Sequence, residues 1–504
     1  MKKRSYIEPL CIALRRDGIC LLPLFFILPF LLAACDHYDD FTSDRSQTLS
    51  FSVDSIRFDT LITTIPSATK TLIVRNQGEA GLRIREVRLE GGAGSPFRIN
   101  VDGQDLSRTA ENRASDFEVR RRDSIFVRCE VTVPEQHADA PVGVEDAILF
   151  TLESGITQRV VLTAGGQDAW FMRGQTIQAD TTLAVGRPIV VYDSLVVAQG
   201  VTLTLAAGTQ LLFHEGAGLV VHGRVVANGT LEAPVVLRGD RTDHIFDYLT
   251  YDRLPSRWEG VTITPTSAEN QFTYTDLHSA RFGIVCDTTV TDTASLTTLT
   301  LLSCRLHNIG GDGLRLKDCR TVVRNTEVSN TQGHCVSVTG GLSDFLYCTL
   351  AQFYPLSADR GAALYFANYE GDDYHALNRL NFINSVITGY AEDVLIGSSL
   401  PNADCRFEYF FKNCFVATEK VTDSPRFVEI TYDDDEETAS WKNFKLVDTD
   451  NFIYDFTPLR TSKMRNIADS NYGQDLLLDR MGRNRLADGA PDAGCYEAEP
   501  ESEE

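Results

Sequence analysis

The feature that most restricts how this chain can fold is a repeat of 22 residues in its second half. Cys304-Arg305-Leu306, Thr326-Glu327-Val328 and Cys348-Thr349-Leu350 recur at that spacing, as do Gly313-Leu314-Arg315-Leu316 and Cys335-Val336-Ser337-Val338. With loop insertions, Thr275-Asp276-Leu277 joins upstream, and Ser385-Val386-Ile387 and Cys414-Phe415-Val416 join downstream. A unit this short cannot bury its own apolar face, so successive units must stack. Alternation along each strand then sends Leu306, Val328 and Leu350 inward, as an aliphatic ladder. Cys304 and Cys348 lie two coils apart, about 9.6 Å at ~4.8 Å per coil, which is too far for a disulfide. The cysteines of this region are expected as small buried packing groups.

The same texture begins near residue 172. Leu195-Val196-Val197, Val201-Thr202-Leu203-Thr204-Leu205, Gln210-Leu211-Leu212-Phe213 and Leu219-Val220-Val221 are short β-branched runs punctuated by glycine. They are too closely spaced for hairpins and fit stacked triangular coils. The expected fold class is all-β: an N-terminal β-sandwich followed by a right-handed single-stranded parallel β-helix over residues 169–430. Residues 431–497 are expected as a C-terminal capping segment. The sandwich reading covers residues 50–168, where Thr71-Leu72-Ile73-Val74, Leu82-Arg83-Ile84, Ser124-Ile125-Phe126-Val127 and Arg159-Val160-Val161-Leu162 alternate between turn residues.

Residues 1–34 read as a targeting signal. A basic start leads into the apolar run from Ile19 to Leu32, broken by Pro23 and Pro29 and too short to span a bilayer comfortably. It ends in Leu32-Ala33-Ala34-Cys35, which resembles the lipobox of bacterial lipoproteins. That resemblance implies lipidation of Cys35 and a membrane as partner through the lipid. The polar stretch 35–49 opens Asp36-His37-Tyr38-Asp39-Asp40 and reads as an acidic tether. Its charge resembles a surface-export signal, although Asp after the lipidated cysteine marks inner-membrane retention in other lineages. An outer-membrane lipoprotein is expected, facing the cell surface or the periplasm.

At 504 residues the chain exceeds one compact core, and 43% hydrophobic content excludes a wholly disordered chain. Net charge is −23, and the signal carries +3, so the remainder carries −26. Such a surface repels phosphates, which argues against nucleic acid as a partner, and it would repel a polyuronate without bound cations.

Several segments carry family resemblances. Residues 50–168 resemble immunoglobulin-like modules found beside lipoprotein anchors, through Phe58-Asp59-Thr60, Ser95-Pro96-Phe97-Arg98-Ile99 and Gly165-Gly166-Gln167-Asp168-Ala169. Val201–Thr209, Gly223–Thr230 and Trp258-Glu259-Gly260-Val261-Thr262 resemble coils of pectin-lyase-like β-helix proteins. Asp479-Arg480-Met481-Gly482-Arg483-Asn484-Arg485 and Pro491-Asp492-Ala493-Gly494-Cys495-Tyr496-Glu497 resemble the terminal segment of secreted β-helix proteins. These likenesses concern fold and do not assign an activity.

Lyases and hydrolases of such folds work on one lateral face, with an Arg or Lys base or with paired carboxylates. Aligning the coils places Asp312 above His334, with Arg360 in the corresponding place one coil on, and Arg315 and Lys317 project nearby. Asp312, His334 and Arg360 are therefore the catalytic candidates, against the plainer reading of polar residues at turn corners. Gly333-His334 faintly resembles an element of polygalacturonases, but that family's paired aspartates and Arg-x-Lys are not in register. The insertion from Asp240 to Arg257 offers Tyr248 and Tyr251 for stacking on sugar rings, with Trp258 assigned to packing. No zinc-spaced cluster, phosphate loop or Gly-x-Ser-x-Gly is found, so no metal and no cofactor are predicted. Calcium is the ion that Tyr432-Asp433-Asp434-Asp435-Glu436-Glu437 suggests, but its spacing fits no EF-hand-type loop and the run reads as a solvated loop. Residues 498–504 read as a disordered acidic tail.

The expected function is a non-catalytic glycan-binding or adhesion protein of the envelope, with polysaccharide or an envelope protein as partner. The alternatives are a polysaccharide lyase or glycoside hydrolase centred on Asp312, His334 and Arg360, and a purely structural envelope protein.

Overall fold

A computed structural model describes residues 40–109, 112–184, 186–246, 248–287, 296–391, 393–400, 405–422, 424–433 and 440–499. The signal, Cys35, the start of the tether, residues 434–439 of the acidic run and residues 500–504 of the tail lie outside the described residues. Among the described residues, no helix is long and apolar enough to cross a membrane.

Residues 50–167 form two five-stranded sheets that share one core. The alternation read in the sequence sets which side chains enter it. In Lys70–Arg75, Leu72 and Val74 point inward, and in Ser124–Val131 the buried positions are Ile125, Val127, Cys129 and Val131. Pairing is antiparallel, except that Ser55–Ile62 runs parallel to the closing strand Thr157–Gln167.

From Trp170–Arg173 onward the chain winds as a parallel β-helix. Each coil adds a strand to each of three parallel sheets, which hold eleven, nine and ten strands among the described residues. The coil Arg305–Ile309, Leu314–Lys317 and Arg320–Arg324 shows the plan, and Glu327–Thr331 begins the next. The expected ladder is present: Leu237, Leu277, Leu306, Val328, Leu350, Ile387 and Val416 follow one another in register. All are buried, and each is worth roughly 1.5–3 kcal/mol of transfer free energy. A second column stacks Phe345 on Phe382 at 4.3 Å, then Phe411 and Phe427.

The bend leading into the eleven-stranded sheet explains the polar residues that punctuate the repeat. Ser303, Asn325, Tyr347, Asn384 and Asn413 each take a left-handed backbone conformation there, with φ between 51° and 57°. Asparagine tolerates this region better than most residues. Just after the bend, the Cys304, Cys348 and Cys414 thiols donate to the carbonyls of Phe272, Val323 and Phe382. The nine cysteines among the described residues are free thiols, as the packing reading expects.

The outer face of the eleven-stranded sheet is covered by three different segments. The sandwich lies on its first coils, where Ile62 packs with Val190 and Leu212. The insertion 240–257 lies over the following coils. The segment expected as a cap instead lies along the side of the cylinder. Phe444, Phe456, Met464, Ala493, Cys495 and Tyr496 pack with Ala351, Phe353, Val386 and Phe415. The bend asparagines fasten this segment: Asn384 bonds both backbone groups of Asp469, and Asn413 donates to the Ile467 carbonyl. The reason is compositional. The outward positions Thr349, Ala351, Val386 and Phe415 are largely apolar and require a cover, which the C-terminal segment supplies.

Candidate functional site

Of the three residues nominated for catalysis, Asp312 and His334 lie together and Arg360 turns to its own loop. Asp312 uses Oδ1 to accept the backbone N–H of His334 at 2.8 Å. His334 uses Nδ1 to accept the N–H of Ala362 at 2.9 Å, and its ring stacks on Tyr365 at 4.9 Å. Arg360 turns its guanidinium to the carbonyls of Tyr354 and Ser357 and over the Tyr390 ring. Each polar group thus holds a turn. The glycines beside them serve the same corner: a Cβ on Gly333 would stand 2.3 Å from Asp312 Oδ1, and one on Gly361 would stand 2.4 Å from the Gly333 carbonyl carbon. Burial lowers the His334 pKa against the pull of Asp312. Arg315 and Lys317 project from the nine-stranded sheet and both bind Glu370.

The insertion supplies a different surface. His244–Phe246 and Leu249–Thr250 pair as a short hairpin. Its base is fixed on the sandwich: His244 bonds Asp59, Thr242 donates to the Thr60 carbonyl at 2.6 Å, and Asp243 accepts the N–H of Ala68 at 2.7 Å. Arg241 holds Asp243 through two hydrogen bonds. At the tip, Phe246 and Tyr248 are 56% and 52% exposed, with rings 5.7 Å apart and 10° from parallel. Of the other two aromatic residues considered, Tyr251 lies under Arg241 and Arg257 beside a cavity of about 110 Å³. Trp258 is buried flat against Phe213 and donates its indole N–H to the His278 carbonyl.

Beneath the insertion lies a cluster that the sequence reading passed over. Asp276 and His278 project outward from one strand, and His307 projects from the next, in register with His278. His278 Nδ1 and His307 Nε2 lie 2.7 and 3.1 Å from the same oxygen, Asp276 Oδ1. The two rings stack at 4.8 Å, the spacing of adjacent strands. Burial alone would raise the Asp276 carboxyl, but the two facing imidazoles outweigh it and hold it well below its usual range. Burial, helped by the Arg305 charge, lowers His307 to about 4, so it is neutral at pH 7. The flanking guanidiniums are paired elsewhere, Arg238 with Asp252 at 2.6 Å and Arg305 with Glu327 at 3.0 Å. Glu327 also accepts from Ser329 and from the Tyr496 hydroxyl, which links the network to the C-terminal segment. The signal in the sequence was Asp276-Leu277-His278 beside the ladder residue Leu277, with His307 beside Leu306. The ladder alignment paired the leucines, and alternation places their polar neighbours together on the outer face.

No protein-family model matches the chain, and no curated protein matches it. Among solved structures, a family 123 glycoside hydrolase from Clostridium perfringens is similar at 8% identity and a TM-score of 0.18, over 25% of this chain and 30% of that one. A protein of unknown function from Porphyromonas gingivalis W83 is similar at 12% identity and a TM-score of 0.17, over 26% and 60%. A PapD-like domain of human CEP192 is similar at 11% identity and a TM-score of 0.16, over 27% and 95%. The chain thus spans less than two thirds of the first two, and at these scores none of the three informs fold or activity.

Proposed function

We propose that this protein is a non-catalytic, glycan-binding lipoprotein of the bacterial envelope, tethered through Cys35 and held off the membrane by an immunoglobulin-like sandwich. The observation that carries the reading is the exposed Phe246–Tyr248 pair on a hairpin braced against the sandwich. Two near-parallel, stacked rings, each more than half exposed, offer a ring face to the apolar face of a pyranose, and a braced hairpin loses little entropy on binding. The use of Asp312, His334 and Arg360 in turn geometry supports a binding role over a catalytic one. The charge of −26 beyond the signal favours neutral glycans over polyuronates.

The test is a glycan array probed with the detergent-solubilised full chain and with the Phe246→Ala/Tyr248→Ala variant. Retention of one neutral glycan class, weakened at least ten-fold in the variant, is the expected result. Equal retention by the two proteins refutes the hairpin site. Release of reducing ends or unsaturated sugars that His334→Ala abolishes refutes the non-catalytic reading.

A further inference from the structure

We propose that Asp276, His278 and His307 form a binding site for a divalent transition-metal cation of the zinc class, set into the outer face of the eleven-stranded sheet. The first support is convergence. Two imidazole nitrogens aim at one carboxylate oxygen, and the three ligand atoms all lie within 4.8 Å of one another. A tetrahedral zinc site with bonds near 2.0–2.1 Å separates its ligand atoms by roughly 3.3 Å, so the two contacts to Asp276 need sub-ångström shifts and the two imidazole nitrogens, no more than 4.8 Å apart, close by at most about 1.5 Å. Two imidazoles and a carboxylate suit zinc and its first-row neighbours and are a poor set for magnesium or calcium, which take oxygen ligands.

The second support lies behind the ligands. Asp252 Oδ2 stands 3.9 Å from Nε2 of His278, the ring nitrogen that faces away from Asp276. The other oxygen, Asp252 Oδ1, is buried without a hydrogen-bond partner. With a cation on Nδ1, His278 carries its proton on Nε2, and an approach of about 1 Å would bring it within hydrogen-bond distance of Asp252, completing the carboxylate–histidine–metal arrangement that orients metal-binding imidazoles. Arg238 and Arg305 are bonded to Asp252 and Glu327, so the Asp276 carboxylate makes its hydrogen bonds to the two imidazoles, while the charges of Arg305 and Arg480 also act on it. Adjacent strands in fixed register supply the rigidity, and Asp276, with its side chain 24% exposed, leaves a route for the ion.

Zinc chloride is the probe. The full chain is solubilised in detergent, made without a histidine tag, stripped with a chelator and titrated calorimetrically. Cobalt(II) is then substituted and its visible absorption recorded. One equivalent of zinc per chain and an intense tetrahedral cobalt band are expected. His278→Gln and His307→Gln should each weaken zinc binding at least ten-fold and erase the band, and Asp252→Asn should weaken binding ten- to a hundred-fold while keeping one equivalent. His334→Gln should change neither readout. Because the cobalt spectrum is read on the native chain, the proposal stays testable if a variant fails to fold. Less than one equivalent of zinc, a spectrum of octahedral aqua-like cobalt, or unchanged affinity in folded His278→Gln and His307→Gln proteins overturns it.

Discussion

Replacing Arg485 by methionine should loosen the C-terminal segment from the side of the β-helix. Arg485 is 2% exposed. Its guanidinium lies 4.0 Å from the Tyr347 ring centre, donates to Asn325 Oδ1 at 2.6 Å, and binds Glu497 Oε1 at 2.7 Å and the Gly494 carbonyl. It therefore joins three parts of the terminal segment to the bend residues of two coils. Methionine keeps much of the volume but removes every donor. Burial already pushes the Glu497 carboxyl up to about 8 against the pull of Arg485, so without the guanidinium it stays protonated and keeps only the Asp492 N–H among the bonds it now makes at this point. Removing the buried donor leaves the Asn325 and Gly494 oxygens as well as Glu497 without it, at about 1–3 kcal/mol each, which sums to about 3–5 kcal/mol. Since each ~1.4 kcal/mol is ten-fold in an equilibrium constant, the opening equilibrium of the segment should rise by about two to three and a half orders of magnitude. Hydrogen exchange followed by mass spectrometry on peptides from 476–499 reads this directly. Peptides of the sandwich, such as those covering Thr157–Gln167, serve as the internal reference. Glu497→Gln gives the Asp492 N–H an acceptor that cannot ionise in the buried site, so Arg485→Met/Glu497→Gln should recover part of the lost protection. A change below ten-fold in Arg485→Met, or no recovery in the double variant, would show that this ion pair does not hold the segment down.

Two further outcomes follow from the packing. Leu350→Ala removes a fully buried ladder residue between Val328 and Ile387 and should cost about 2–5 kcal/mol, read as a lowered thermal midpoint. An unchanged midpoint would mean that the column tolerates a cavity and is not the source of the coil's stability. His334 should make stability fall in acid: its pKa is lowered in the folded chain, so below about pH 6.5 the unfolded chain binds the proton first. Protonation at Nδ1 also forfeits the bond from Ala362, worth about 1 kcal/mol. Between pH 7.5 and 5 the native midpoint should fall further than that of His334→Gln, and equal falls would remove His334 from the account.

The fold was legible where the physics is periodic. Leu306, Val328 and Leu350 occupy equivalent places because strand alternation and coil length together fix side and register, and both can be read from spacing alone. Arg360 was misplaced because the insertion between Gln352 and Leu364 breaks that spacing, and its guanidinium is captured by carbonyls of its own loop. The Asp276–His278–His307 cluster was hidden for a different reason. Aligning Leu277 with Leu306 superposes the two histidines, but each reads alone as an ordinary outward polar residue, and their convergence on Asp276 depends on side-chain directions that spacing does not give. The lateral course of residues 440–497 was not legible either. Its cause is the hydrophobicity of outward-facing positions on distant strands, which becomes meaningful only once the sheet is assembled.

The outer face of the eleven-stranded sheet changes character along its length, and its covers change with it. One outward column runs Arg238, His278, His307, Ser329, Ala351 and Thr388, from charged to small and apolar. The neighbouring column runs Asp276, Arg305, Glu327, Thr349, Val386 and Phe415 in the same sense. The apolar end lies under the C-terminal aromatic residues, which repay its burial by the hydrophobic effect. The charged stretch could not be sealed that way without stranding ionised groups, and here the covers meet it with partners: Asp252 from the insertion for Arg238, and Tyr496 from the C-terminal segment for Glu327. Asp276 and the two histidines sit between these two partnered pairs, where the insertion brings Asp252 to 3.9 Å from His278 and the C-terminal segment brings the charge of Arg480 to bear on Asp276. The proposed cation must therefore bind through two imidazoles and a carboxylate among guanidiniums, and the zinc titration measures whether those three ligands outweigh that repulsion.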